Sequence, residues 1–257
     1  MALQSRLDSA FLRYHRAEYI ETDPIRYPHR FSDPRDIEVA AFYSAMLAYG
    51  NVRAIFGTLD ALFRSLGPRP AEWLTEARPS EIQSAMSPLY HRFTTAGHLI
   101  RLTHALQSVY RSNGSLHALF LLGDDAADET IETPATRMMI VLKRRPVARR
   151  GGPPTGMEHL LASPDRGSPC KRLNLFLRWM VRKDRVDFGL WPDVSPARLV
   201  IPLDVHILRL TREWGLLTRK SNDWKAALEL TARLRVFCPG DPVKFDFALT
   251  RFGMGLE

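Results

Sequence analysis

Apolar residues recur along this chain mainly at three- and four-residue intervals, the period of helices that bury one face. Ile37 through Tyr49 is an almost continuous apolar helix, with Ser32 and Asp33 available as caps and Pro34 at a favoured early position; Gly50 and Asn51 stop it. Val52–Leu66 predicts a second helix, closed by Gly67 and Pro68. From Thr95 to Tyr110, the apolar positions Leu99, Ile100, Leu102, Leu106 and Val109 keep helical spacing until Ser112, Asn113 and Gly114 end the run. Further helices are predicted at 132–144, 155–162, 169–182, 204–215, 222–237 and 241–253, and residues 1–19 read as an amphipathic helix. Two-residue alternation is nearly absent, since Leu199–Ile201 is too short to found a sheet. The expected fold is all-α, and the length suits one large domain or two intimately packed ones.

Three stretches interrupt the periodicity: Arg16–Arg35, the basic and Gly/Pro-rich Lys143–Pro154, and Lys183–Pro202 with Phe188 and Trp191 embedded. The second is expected to be a mobile loop. Loops rich in basic or aromatic residues often carry function, and they also serve as packed connectors.

Composition narrows the chemistry. With 257 residues, 45% of them hydrophobic, the chain has enough apolar material for a full core. No apolar run approaches the ~20 residues of a membrane span, and the first residues lack the layout of a signal peptide. Two cysteines, Cys170 and Cys238, leave neither a disulfide framework nor a four-cysteine metal or iron–sulfur site, so a reducing cytoplasm is the default expectation. The eight histidines show no paired ligand spacing, and no metal or other cofactor is expected. Net charge is +8, unevenly spread: from Arg137 to Arg185 there are 13 basic and three acidic residues, +10, which leaves −2 for the remainder. A localised positive field is the footprint of a polyanion such as nucleic acid, and equally that of a solvated basic face. An anionic membrane fits less well, because the basic residues are not paired with an apolar face.

Chemistry concentrates in two segments. In the first, a short helix is expected to end in a turn of Ser163, Pro164, Asp165 and Gly167, with a new helix starting near Pro169. Helix, hairpin and helix together offer unpaired backbone N–H groups and a positive dipole end, a phosphate-gripping arrangement. Lys171 falls in that helix's first turn, where the dipole and basic neighbours favour the neutral, nucleophilic amine; Lys171 and Arg172 are equally suited to binding phosphates. In the second segment, Val200-Ile-Pro-Leu-Asp204-Val-His206, an apolar approach and a proline deliver Asp204 to a helix start, where it would act as an N-cap in any protein. The pair carries more than either member. An amine and a carboxylate at two helix starts suit displacement at a sugar C1′, whose positive, oxocarbenium-like transition state a carboxylate stabilises.

Gly167-Ser-Pro-Cys-Lys171 and Ile201-Pro-Leu-Asp204-Val-His206 resemble the helix-hairpin-helix DNA glycosylase superfamily, whose members carry Gly-x-Gly-x-Lys at the hairpin and then an Asp followed by a His. Gly167 matches the first hairpin glycine, Lys171 the lyase lysine and Asp204 the essential aspartate. Pro169 stands where the second glycine is expected, which alters the hairpin's phosphate grip. The 33-residue step from Lys171 to Asp204 and the missing cluster cysteines are most similar to the archaeal 8-oxoguanine DNA glycosylase branch. The segments from Cys170 to Arg182, Pro202 to Leu210 and Asp241 to Gly255 also resemble a bacterial family of domains of unknown function.

The resemblance implies a single domain over 1–257, made of two intimately packed helical subdomains with a cleft between them and a hairpin near 160–182. It further implies that Asp246 reads the damaged base, that Asn51 fills the gap left by the flipped base, and that Arg172 and His206 contact DNA beside Gly167. An aromatic expected one turn after Asp246 is Thr250 here, so stacking falls to Phe252, Trp191 or Tyr49. Residues read alone also allow Asp246 as a dipole-held helix-start acid, His206 as a partly buried helix residue, and Tyr90–Phe93 as either a strand-intercalating wedge or a loop anchor. The function implied is a monomeric, cofactor-free glycosylase and abasic-site lyase acting on duplex DNA at the nucleoid, with an oxidised purine, 8-oxoguanine, as substrate. Two other readings stay open: a non-catalytic helix-hairpin-helix DNA-binding protein, and a monofunctional glycosylase for alkylated bases.

Overall fold

The computed structural model describes residues 3–144 and 156–255. Among them are twelve α-helices, several short 3-10 turns and no sheet; the only bridges pair His91 with Thr94 and Lys183 with Phe188. The protein is all-α. The helices are α1 (Leu3–Tyr14), α2 (Pro34–Met46), α3 (Val52–Leu66), α4 (Pro70–Glu76), α5 (Pro79–Met86), α6 (Ala96–Asn113) and α7 (Leu116–Leu121). There follow α8 (Glu132–Arg144), α9 (Lys171–Val181), α10 (Val205–Glu213), α11 (Trp224–Arg235) and α12 (Asp246–Met254). No helix of the described residues is long and apolar enough to cross a membrane.

Local chemistry accounts for most boundaries. Asp33 accepts the N–H groups of Arg35 and Asp36 ahead of Pro34, and Asn51 accepts that of Arg53 at the start of α3. Three helices are additional to the periodic pattern. Both α4 and α5 begin at a proline, a residue that stops helices from inside and starts them at the first turn. The third, α7, is only six residues long, and its first N–H groups, of Leu116 and His117, are taken by the buried carboxylate of Glu38 on α2. Ser115 also caps it locally by accepting the Ala118 N–H, so what hides this helix from the periodic pattern is its length.

One predicted helix is absent. Residues 156–162 form turns, with Leu161 donating to the Met157 carbonyl at 2.7 Å, and a 3-10 turn at Pro164–Arg166 follows. Gly156, Ser163 and two prolines crowd this stretch, so the helical period of Met157, Leu160 and Leu161 is not propagated. Residues 145–154 of the predicted basic loop lie outside the described residues.

The chain divides into two units. One comprises Asp23–Asp124 and Thr133–Ala162 and is centred on α2, which is buried on nearly every side. Two of its polar core groups are matched across the unit: Tyr110 Oη donates to Glu38, and Gln107 donates to the carbonyls of Leu74 and Ala77. A tight turn at Tyr90–Phe93 is pinned by His91 and Thr94, both bonded to the Tyr49 hydroxyl or carbonyl, while Tyr90 and Phe93 are exposed. The other unit comprises Met1–Thr22, Asp125–Glu132 and Ser163–Glu257. There α12 packs on α1 and α10, with Trp179, Phe176, Phe245 and Phe247 fully buried.

Candidate functional site

The turn entering α9 is built from backbone constraints. Gly167 adopts a left-handed conformation (φ +72°) and its N–H returns to the Pro164 carbonyl at 2.8 Å. A Cβ there would meet nothing within 4 Å, so the glycine serves the backbone angle rather than close packing. Its carbonyl accepts the Trp224 N–H at 2.9 Å, which fixes the turn to the start of α11. Cys170, the N-cap of α9, is also left-handed (φ +49°), an unfavourable conformation for a side-chain-bearing residue. The pair of left-handed residues turns the chain sharply and makes Lys171 the first residue of the helix.

Asp204 is reached by a different route. The approach from Leu199 to Leu203 is buried, and Ile201 donates its N–H to the Thr231 hydroxyl of α11 at 3.1 Å. Asp204 then caps α10, its Oδ1 accepting the N–H groups of His206 and Ile207 at 2.9 Å each. One side chain bridges the two routes. Buried Asn174, one turn into α9, donates from Nδ2 to the carbonyl of Pro169 (3.3 Å) and, more weakly, to that of Ile201 (3.5 Å). The turn carrying Lys171 and the segment carrying Asp204 are thereby tied together.

Asp246, the first residue of α12, completes the group. It is 2% exposed, its Oδ2 is ion-paired with Arg178 of α9, and its Oδ1 has no hydrogen-bond partner among the described residues. Burial pushes its carboxyl up to about 6; Arg178 opposes the shift, Asp204 adds to it, and Lys171 opposes it. Lys171, Asp204 and Asp246 therefore share one electrostatic neighbourhood.

Behind Asp246 lies a buried chain of charges. Arg178 also binds Asp187 (3.1 Å), which pairs with Arg182, and Arg182 holds Asp241 (3.0 Å) and Asp184 (2.9 Å). Asp184 reaches His15, just past the end of α1, at 2.9 Å. Burial pushes the Asp184 carboxyl up, but the bonds from His15 and Arg182 outweigh it and hold the group well below the ordinary carboxylate range. Sequence reasoning passed over Asn174 and Arg178. The signal was present: Lys171, Asn174, Arg178 and Arg182 form a polar stripe at helical spacing on a helix that is otherwise apolar after Arg172.

The remaining sequence candidates are placed as follows. Arg172 adjoins Lys171 in the first turn of α9 and is half-buried. His206 lies in the first turn of α10, where its backbone passes close to Gly253 of α12; a Cβ on Gly253 would stand 3.2 Å from the His206 carbonyl oxygen. Gly253→Val is expected to force α10 and α12 apart and to cost about 1–3 kcal/mol in chemical denaturation. Phe252 is partly exposed, edge-on to Trp214 and Tyr14. Trp191 is enclosed in the core, its ring edge-on to Phe176 and its backbone N–H donating to the Met180 carbonyl. Asn51 belongs to the other unit, where it caps α3. Among the described residues, no group of three His, Cys, Asp or Glu side chains is placed to hold a metal ion.

Comparison with curated proteins and with solved structures finds no match. The family model described as "Protein of unknown function (DUF2400)" matches residues 23–255, a span that takes in Lys171, Asp204 and Asp246, and the chain belongs to that family.

Proposed function

We propose that this protein is a DNA glycosylase with strand-cleaving lyase activity, acting on an oxidised purine through a lysine Schiff base. The observation that carries the reading is the tie between Lys171 at the head of α9 and Asp204 at the head of α10, through Asn174 and beside buried Asp246. A nucleophilic amine next to a carboxylate held rigidly by two backbone N–H groups fits attack at a sugar C1′, where positive charge develops. The strongly basic segment from Arg137 to Arg185 suits a polyanionic substrate.

In this mechanism the damaged nucleotide is flipped out of the duplex. Lys171 attacks C1′ and the base departs. The resulting Schiff base permits β-elimination of the 3′ phosphate. Asp204 stabilises the cationic sugar, and its rigid cap geometry means little reorganisation accompanies charge development. Gly167, Arg172 and His206 are assigned to the phosphates, Asp246 and Phe252 to the base, Trp191 to the support of that pocket, and Asn51 to the gap in the duplex. The choice of 8-oxoguanine follows the sequence resemblance to the archaeal branch.

A panel of duplexes carrying 8-oxoguanine, an alkylated purine or no lesion, scored separately for base release and for nicking, tests the reading. Release of 8-oxoguanine accompanied by nicking is expected. Release of the alkylated base without nicking would replace the reading with a monofunctional glycosylase. Salt-dependent binding to all duplexes with no release would replace it with a DNA-binding protein.

A further inference from the structure

We propose that Asp246 is the proton acceptor for the Lys171 amine, leaving Asp204 to stabilise the sugar cation; the inference rests on the glycosylase reading and divides its two carboxylates by role. The division comes from how each is held. Asp204 Oδ1 is already committed to two backbone N–H groups, which hold the carboxylate in place at the head of α10. Asp246 is almost wholly buried, and only one of its oxygens is engaged, by Arg178. Its Oδ1 has no hydrogen-bond partner among the described residues, and a carboxylate oxygen enclosed in that way is stabilised by acquiring a proton or a donor.

The charged groups around Asp246 define what can supply that proton. From α9 come Arg178 and Lys171, and from the head of α10 comes Asp204. Asp187 lies on the far side of the Arg178 guanidinium. His15, just past the end of α1, packs at a steep angle to the Phe247 ring, and Arg251 of α12 lies over the same ring. Arg178 does not release a proton in the physiological range, so the ammonium of Lys171 is the donor in this set. The raised affinity for protons described above is what an acceptor working near neutrality requires.

The step balances. One proton passes from Lys171 Nζ to Asp246 Oδ1. The freed lone pair forms the Nζ–C1′ bond while the C1′–N9 bond breaks, its electron pair leaving on the purine. The purine then takes the proton from Asp246, which returns to carboxylate. Asp246 thus serves as acceptor first and donor second, with no other reactant needed.

The test is single-turnover cyanoborohydride trapping on duplex DNA carrying a preformed abasic site, from about pH 5 to about pH 8. With no base to read, an effect of Asp246 on this substrate reports on the amine. Wild-type trapping is expected to rise through about pH 6 and level off. Asp246→Asn is expected to trap about a hundredfold more slowly and without that rise. An Asp246→Asn rate and profile equal to wild type would overturn this inference and leave the glycosylase reading standing. No wild-type adduct on this duplex or on one carrying 8-oxoguanine would remove both. If Asp246→Asn loses cooperative unfolding, Asp246→Glu decides: its profile must be displaced from wild type, and an unmoved profile overturns the inference.

Discussion

Arg178→Ala is expected to destabilise the protein by about 3–5 kcal/mol, the loss typical of breaking a buried ion pair by removing one partner. Arg178 stands between two enclosed carboxylates, Asp187 and Asp246. Asp187 retains Arg182 in the variant, whereas Asp246 keeps no direct partner among the described residues. Since domains are stable by only about 5–15 kcal/mol, the urea midpoint should fall sharply. The loss should also depend on pH in a defined direction. The Asp246 carboxyl is pushed up to about 6 by burial, against an ordinary value near 3.8, and removing Arg178 pushes it further. The folded state then binds a proton that the unfolded chain releases, so stability rises as pH falls through the folded value. The penalty for Arg178→Ala should be smaller at about pH 5 than at about pH 8. Combining it with Asp246→Asn should recover part of the loss at the higher pH, because the stranded charge is gone.

Asp204→Asn is the second large effect, and it separates chemistry from structure. Asparagine caps a helix about as well as aspartate, so α10 should keep its start and the melting temperature should change little. The carboxylate charge is what disappears. Base release under single-turnover conditions should fall by about 10²–10³-fold, while affinity for the lesion duplex stays close to wild type. A parallel loss of affinity or of cooperative unfolding would mean that Asp204 serves mainly as a cap.

The division between what the sequence made legible and what it hid follows the range of the interactions. Asp33, Asn51, Asp204 and Asp223 cap their helices through bonds to N–H groups two or three residues ahead, so those starts could be read locally. The α7 start has the same local form, Ser115 accepting the Ala118 N–H, but six residues are too few to show a helical period. The helix expected at 155–162 failed because three apolar residues suggested a period too short to sustain one. At the candidate site, Lys171, Asp204 and Asp246 were visible as residue types at helix starts. Arg178 was read past because it sits between Leu177 and Trp179, where a buried arginine is justified only by acids arriving from Asp187 and Asp246. Trp191 illustrates the reverse: an aromatic in a long loop suggests exposure, yet the backbone bond to Met180 draws it into the core.

The central claim is that the Lys171 amine bonds covalently to the sugar of a damaged nucleotide. Borohydride trapping on an 8-oxoguanine duplex reads that bond directly. Wild type is expected to yield a stable protein–DNA adduct, and Lys171→Gln none. A wild type that leaves no adduct, or a Lys171→Gln variant that forms one undiminished, would contradict the account.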